Sequence, residues 1–329
     1  MDYVLTLAVP IIGILLLIAS LSKSEYMNFL GKDVTFLMRG VAALIVVMVH
    51  IPELYHNKIQ DMIGSFAFIC VMFFFFLSGY GMMLGAKRGK PAWKFWNNRL
   101  VALLIPMTVV NLVGICFCYL GHKPITFLAL LHIDRYVVQL LAFCMIYYVC
   151  ANLISDYMKL AWTIATLVFA ISVLLYIVDY GWKVPFIGAA IGCIAAAYIN
   201  RIELMSKCAW GGIFLMFLFI LLGIVYIRVK SVFFIGDFII RATLGICGLA
   251  CMFYMTRYIQ VHPKRGALGA MLSNISYEIY LIHHIVIVYL LTFKMQSSGL
   301  YIIYTYVITI LLSVIVHQIC KPIVLKLRR

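Results

Sequence analysis

The chain has 329 residues, 66% of them hydrophobic and only 11% charged, with a mean hydropathy of +1.09. Soluble domains carry about 25% charged residues, so this composition excludes a soluble enzyme and leaves a polytopic membrane protein with no separate polar domain. Basic residues outnumber acidic ones 26 to 11, but they stand between apolar spans, where they set topology and favour anionic membrane lipids; no nucleic-acid partner is implied.

Apolar runs between polar breaks predict an all-α bundle of about 10–11 transmembrane helices, with spans at 3–21, 34–51, 63–85, 100–120, 137–154, 160–178, 184–199, 209–227, 238–256, 268–292 and 300–319. The first span lacks a basic start and a small-x-small cleavage site, so it reads as a retained helix and not a signal peptide. The whole chain, 1–329, forms one integral-membrane domain. It comprises an extra N-terminal helix and inner loop (1–33), a central bundle (34–292), and a last helix with a basic tail (293–329). Placing 22–33 in the cytoplasm puts 17 basic residues on that side and 7 on the other. The positive-inside rule then sets the N-terminus outside and the C-terminus in the cytoplasm.

The second span, Val34 to Ile51, carries two ionisable side chains, Arg39 and His50. Eleven helical steps separate them, about 20° past three turns, so they share a face roughly 16 Å apart along the axis. Either both reach opposite membrane interfaces, or they line a polar track through the bundle. Pro52 ends the helix, which places Glu53 and His56 beside His50 at the outer end. A carboxylate at Glu53 can orient the imidazole. The third span ends in MFFFFLSGYGMML, where Ser78, Gly79, Gly81 and Gly85 leave a thin surface suited to close packing. Ser78 reads first as a packing serine, since no G-x-S-x-G surrounds it.

A basic stretch follows, with Lys87, Arg88, Lys90, Lys94 and Arg99 beside Trp93 and Trp96. It is either a loop resting on anionic lipid or a dock for an anionic cytoplasmic ligand such as a nucleotide-bearing cofactor. The outer segment 121–136 holds His122, His132, Asp134 and Arg135, read as surface polarity. Asp237 and Arg241 sit at i, i+4 and predict an ion pair. The ten cysteines show no CxxC and no zinc spacing with histidine, so no metal is expected. In the tenth span Ser276, Tyr277, Glu278, Tyr280, His283 and His284 crowd one membrane helix. Helical spacing puts Ser276, Tyr280 and His283 on one face and Tyr277 and His284 on another.

Four motifs therefore occur in order: R-x10-H at Arg39 and His50, FFFFLSGY at 73–80, the basic loop leading to NRLVALLIP, and SYEIYLIHH at 276–284. In this the chain resembles the integral-membrane acyltransferase family three, whose bacterial members O-acetylate surface glycans. The resemblance implies a bacterial inner-membrane O-acyltransferase that moves an acyl group, in the first instance acetyl, from cytoplasmic acyl-CoA to a hydroxyl of a cell-surface polysaccharide or lipid-linked sugar. Carried over by residue, His50 and Arg39 match the family's essential pair. Lys87, Arg88 and Arg99 match its basic loop, and Ser276, Tyr277, Tyr280 and His283 its late signature. His50 with Glu53 would then be catalytic, Arg39, Lys87, Arg88 and Arg99 would hold acyl-CoA, and Ser78, Tyr277, Tyr280 and His283 would support the substrates. Histidine suits the activation of an alcohol, either as general base or as a covalent acyl carrier. The family's aspartate before FF-x-x-SG is Met72 here, its middle-helix tryptophan has no counterpart at 136–141, and the helix at 3–21 precedes its usual first one. A glycan or lipid-intermediate transporter without acyl transfer shares the spans and intramembrane charges, although no internal repeat is visible.

Overall fold

The computed structural model describes residues 8, 11, 12, 15, 18, 21–23, 30, 32–52, 55, 57–89, 91, 93–121, 132–178, 183–229, 234–256, 259–261, 267–293, 295 and 297–328. The expected span 3–21 lies largely outside the described residues, as do Glu53, His56 and Lys90. The described chain is a helical bundle with one short antiparallel ladder, β1 (Leu21–Lys23) on β2 (Ile259–Val261). Eight helices among the described residues are long and apolar enough to cross a membrane, and up to nine if one bent pair counts as a span. The protein is a multi-pass membrane protein.

The span expected at 34–51 is α1 (Lys32–Val49). It ends as Pro52 requires: His50 N–H bonds Val47 O at 3.2 Å and Ile51 N–H bonds Met48 O at 3.4 Å, the tightened i→i−3 pattern of a terminating turn. Residues 58–66, expected to belong partly to a loop, form α2 (Lys58–Phe66). The N-K-I-Q sequence there is a capping box: Asn57 Oδ1 accepts from Ile59 and Gln60 N–H at 3.0 and 3.1 Å, and Gln60 Oε1 accepts from Asn57 N–H at 3.0 Å. Helix α3 (Phe68–Ala86) follows after a break at Ala67.

Helix α4 (Lys94–Leu120) starts within the basic stretch and continues through Pro106, longer than the expected 100–120. Helices α5 (Arg135–Leu153) and α6 (Tyr157–Ile177) begin at aspartate caps, Asp134 and Asp156, whose carboxylates accept backbone N–H bonds. The span expected at 184–199 is a helix pair, α7 (Ile187–Ala197) and α8 (Ile199–Met205), bent by 86°. Next come α9 (Ala209–Val229) and α10 (Phe234–Thr256). The span expected at 268–292 is divided at Ile275 into α11 (Ala267–Asn274) and α12 (Ser276–Leu290), and α13 (Ser298–Leu327) ends the chain.

Small residues decide the closest crossing. A Cβ added at Gly79 of α3 would overlap the carbonyl oxygen of Ala189, and one added at Gly188 or Gly192 of α7 would overlap those of Met72 and Phe76. Without a hydrophobic drive between helices in lipid, such backbone approach supplies much of the packing energy. Met72 is fully buried in this crossing and lines neither cavity described below. By contrast α9 exposes Ile213, Phe214, Phe217, Ile220 and Ile224, the apolar surface a peripheral helix presents to lipid. The expected Asp237–Arg241 ion pair is present at 2.8 Å, with Tyr176 donating to Asp237 at 3.0 Å. The arrangement that matters for function is α1 packed beside α11 and α12, with α12 also against α4 and α13. Helices α1 and α12 run in the same direction: Arg39 in the middle of α1 meets Ser276 at the start of α12, and His50 at the end of α1 meets His283 and His284 in the middle of α12.

Candidate active site

Where the middle of α1 meets the start of α12, Arg39 Nη2 donates to Ser276 Oγ at 3.3 Å, and Ser276 Oγ donates in turn to Ser273 O at 2.8 Å. Where α1 ends against the middle of α12, three imidazoles gather. The His50 ring stacks on His283 with centroids 5.0 Å apart and planes 14° apart. His284 lies 4.3 Å from each of the other two rings. His283 is fully buried; its Nδ1 is 3.2 Å from the carbonyl of Ile279, which makes Nδ1 the protonated nitrogen and turns the Nε2 lone pair inward. The two faces expected on α12 therefore converge, because the adjacent histidine rings fold together around His50.

Between these two levels the shared face of α1 is closed. Ala43 and Val46 are buried, and Tyr306 of α13 donates to Leu44 O at 2.8 Å. The small side chain at Ala43 admits a neighbouring helix there and leaves no open track along α1. The side chain common to both levels is Tyr280. Two cavities flank it, and Tyr280 lines both.

The first, a basic cavity of about 570 Å³, is lined by Arg39, Arg99, Lys321 and Arg328, together with Ser78, Gly81, Tyr136, Tyr277, Glu278 and His317. It opens at the end of the bundle where α4 begins and α13 ends, which Asn97 Nδ2 joins by donating to Leu327 O at 2.9 Å. Glu278 lies among these basic side chains: its Oε1 is 2.8 Å from His317 Nδ1, and its buried Oε2 has no hydrogen-bond partner among the described residues. Tyr277 donates to Leu103 O at 2.9 Å and Ser78 to Phe74 O at 3.0 Å, so the serine is back-bonded within its own helix.

The second, a distal cavity of about 900 Å³ between α4 and α12, is lined by His284, Tyr280, His132, Asp134, Arg135 and Asn111 with a largely apolar remainder. Tyr280 donates to Asp134 Oδ1 at 3.1 Å, and the same oxygen caps α5 by accepting from Tyr136 N–H at 2.8 Å. The Tyr136 and Tyr280 rings, 4.8 Å apart, complete the partition between the cavities.

Of the expected site residues, the structure brings Arg39, Arg99, Ser78, Tyr277 and Tyr280 to the basic cavity and sets His283 against His50. Lys87 and Arg88 are exposed and line neither cavity; the Lys87 ammonium lies 5.1 Å over the Tyr157 ring. The full set includes residues to which the sequence reading gave no role. His284 was visible as the second of an intramembrane histidine pair. Glu278 was visible as a carboxylate in a membrane helix. His317, Lys321, Arg328 and Asp134 carry no local signal, because each resembles an ordinary span-end or loop residue.

A sequence model for the family described as "Acyltransferase domain" matches residues 37–318, nearly the whole described bundle. Comparison with curated proteins and with solved structures gives no match. The match spans Arg39, all three clustered histidines and the Glu278–His317 pair, and by it the chain belongs to acyltransferase family 3, as a membrane acyltransferase.

Proposed function

We propose that the protein transfers an acyl group, acetyl in the first instance, from acyl-CoA in the cytoplasm to a hydroxyl of a cell-surface polysaccharide or lipid-linked glycan, in a bacterial inner membrane. What supports this reading is one juxtaposition: a cation-lined cavity and a polar-apolar cavity meet at Tyr280, beside a histidine cluster. By the positive-inside rule the basic cavity faces the cytoplasm, the side on which acyl-CoA resides. Arg99, Lys321 and Arg328 then meet the nucleotide phosphates. The thin pantetheine arm enters past Arg39 toward the Tyr280 partition.

An alcohol is a weak nucleophile and needs a base at its proton. In the proposed step His50 removes the acceptor proton as the hydroxyl oxygen bonds to the thioester carbonyl carbon. The carbon–sulfur bond then breaks, the CoA thiolate leaves into the basic cavity, and it regains a proton there. His283 and His284 both pack against the His50 ring. The mixed polar and apolar lining of the distal cavity suits an acceptor with a sugar and a lipid portion. A covalent acyl-histidine at His50 uses the same geometry in two steps.

The test is acetyl-CoA binding and slow hydrolysis by the purified protein in detergent, wild type beside Arg39→Ala and His50→Gln. Saturable binding weakened by Arg39→Ala, with turnover reduced about 10²–10⁴-fold in His50→Gln, supports the reading. A folded wild type that binds no acyl-CoA sinks it.

A further inference from the structure

We propose that His50, His283 and His284 form a binding site for a divalent transition-metal ion of the zinc class. The three residues each offer one ring nitrogen, and these nitrogens all lie within 4.8 Å of one another. An ion at the centre of a triangle of that edge would sit about 2.8 Å from each nitrogen, against a Zn–N bond of about 2.0–2.1 Å, so inward movement of about 0.7 Å per nitrogen closes the site. Rings on a tetrahedral ion with such bonds have centroids about 5.2 Å apart. The observed separations of 5.0, 4.3 and 4.3 Å are shorter than that by up to about 0.9 Å, so the rings must fan apart as their nitrogens close on the ion.

A second observation points to a ligand. His283 Nε2 is buried and has no hydrogen-bond partner, while its Nδ1 is committed to the Ile279 carbonyl. An orphaned buried acceptor is costly. A ring whose Nδ1 donates to a carbonyl, which leaves the Nε2 lone pair to a ligand, is in the state in which metal-binding histidines are held. Three histidine ligands with a fourth position left for water are a known zinc donor set. His284, on the wall of the distal cavity, gives an ion arriving from that side a first ligand. Affinity for such nitrogen sites rises along the first-row series to copper and includes zinc, whereas magnesium and calcium prefer oxygen, so the class is set by the donors.

The site uses the same three histidines as the transfer reading but does not rest on it, and a lone pair given to a metal cannot take a proton. If His50 is the base, the loaded protein is therefore the inactive form.

The experiment reads metal and not transfer. Tag-free protein, purified in detergent and stripped with a chelator, is titrated with Co²⁺ and followed by visible absorption, then with Zn²⁺ in competition. Expected is one ion per chain with a tetrahedral cobalt spectrum, and affinity at least tenfold weaker in His284→Ala, which leaves the buried core intact, and in His283→Ala. His132→Ala, a variant of the exposed histidine elsewhere on the distal cavity, should keep wild-type affinity. Wild type that takes up no metal, or His284→Ala that binds as wild type does, overturns the proposal.

Discussion

Tyr280 is the side chain on which the two-cavity arrangement turns, and Tyr280→Phe tests it with the least disturbance. The ring is nearly buried and stays in place, so the partition is kept, and only the hydroxyl and its 3.1 Å bond to Asp134 are removed. A hydrogen bond to a charged group contributes about 1.5–3 kcal/mol. If that bond is what holds the ring and the start of α5 in register beside His283, whose centroid is 5.8 Å from that of Tyr280, its loss appears in the barrier. At about 1.4 kcal/mol per factor of ten, turnover falls by roughly 10- to 150-fold. Asp134 still accepts from Tyr136 N–H, so the α5 cap survives and the protein should elute as a single folded species. Asp134→Asn is the companion variant: asparagine caps helices well and still accepts from the tyrosine, so its loss should be smaller than that of Tyr280→Phe. The assay is acetyl transfer or acetyl-CoA hydrolysis in detergent at saturating donor, with both single variants and the double. Tyr280→Phe activity within threefold of wild type, or effects of the two variants that simply add, would refute the reasoning, because residues sharing one bond must couple.

Other predictions follow from packing and charge. Gly81 lines the basic cavity, and a Cβ there meets nothing within 4 Å. Gly81→Phe should therefore fold normally yet lower acyl-CoA affinity at least tenfold, read by equilibrium binding. Gly188→Val places atoms where the Met72 carbonyl already lies and should destabilise the α3–α7 crossing by about 1–3 kcal/mol, seen as a lower unfolding midpoint in detergent. His317→Ala removes the hydrogen-bond partner of Glu278 Oε1 in a partly exposed pair and should cost about 1–3 kcal/mol, whereas Glu278→Gln with His317→Ala should recover part of that loss.

The membrane class, the number and sequence order of most spans, and the stop at Pro52 were legible in the sequence, because hydropathy and proline chemistry are local properties. So was the Arg39–His50 face, which depends only on helical period, and so was the oddity of adjacent histidines in mid-helix. The Asn57–Gln60 capping box is also a local signal, and the apolar runs, read without it, leave 52–62 as a loop. Local properties could not show the 86° bend at Tyr198 or the interruption at Ile275. The cavities are a further step removed. Lys87 and Arg88 sit in the most basic stretch but face away, while Arg328 and Lys321, more than two hundred residues later, reach the basic cavity, because α13 runs back to the start of α4. The same separation explains the histidines: His50 and His283 are 233 residues apart, and no spacing rule covers ligands brought together by two parallel helices. Composition determined that the chain lives in a membrane and which residue types it carries there. Only the packing of α1 against α12 decided which of them face one another.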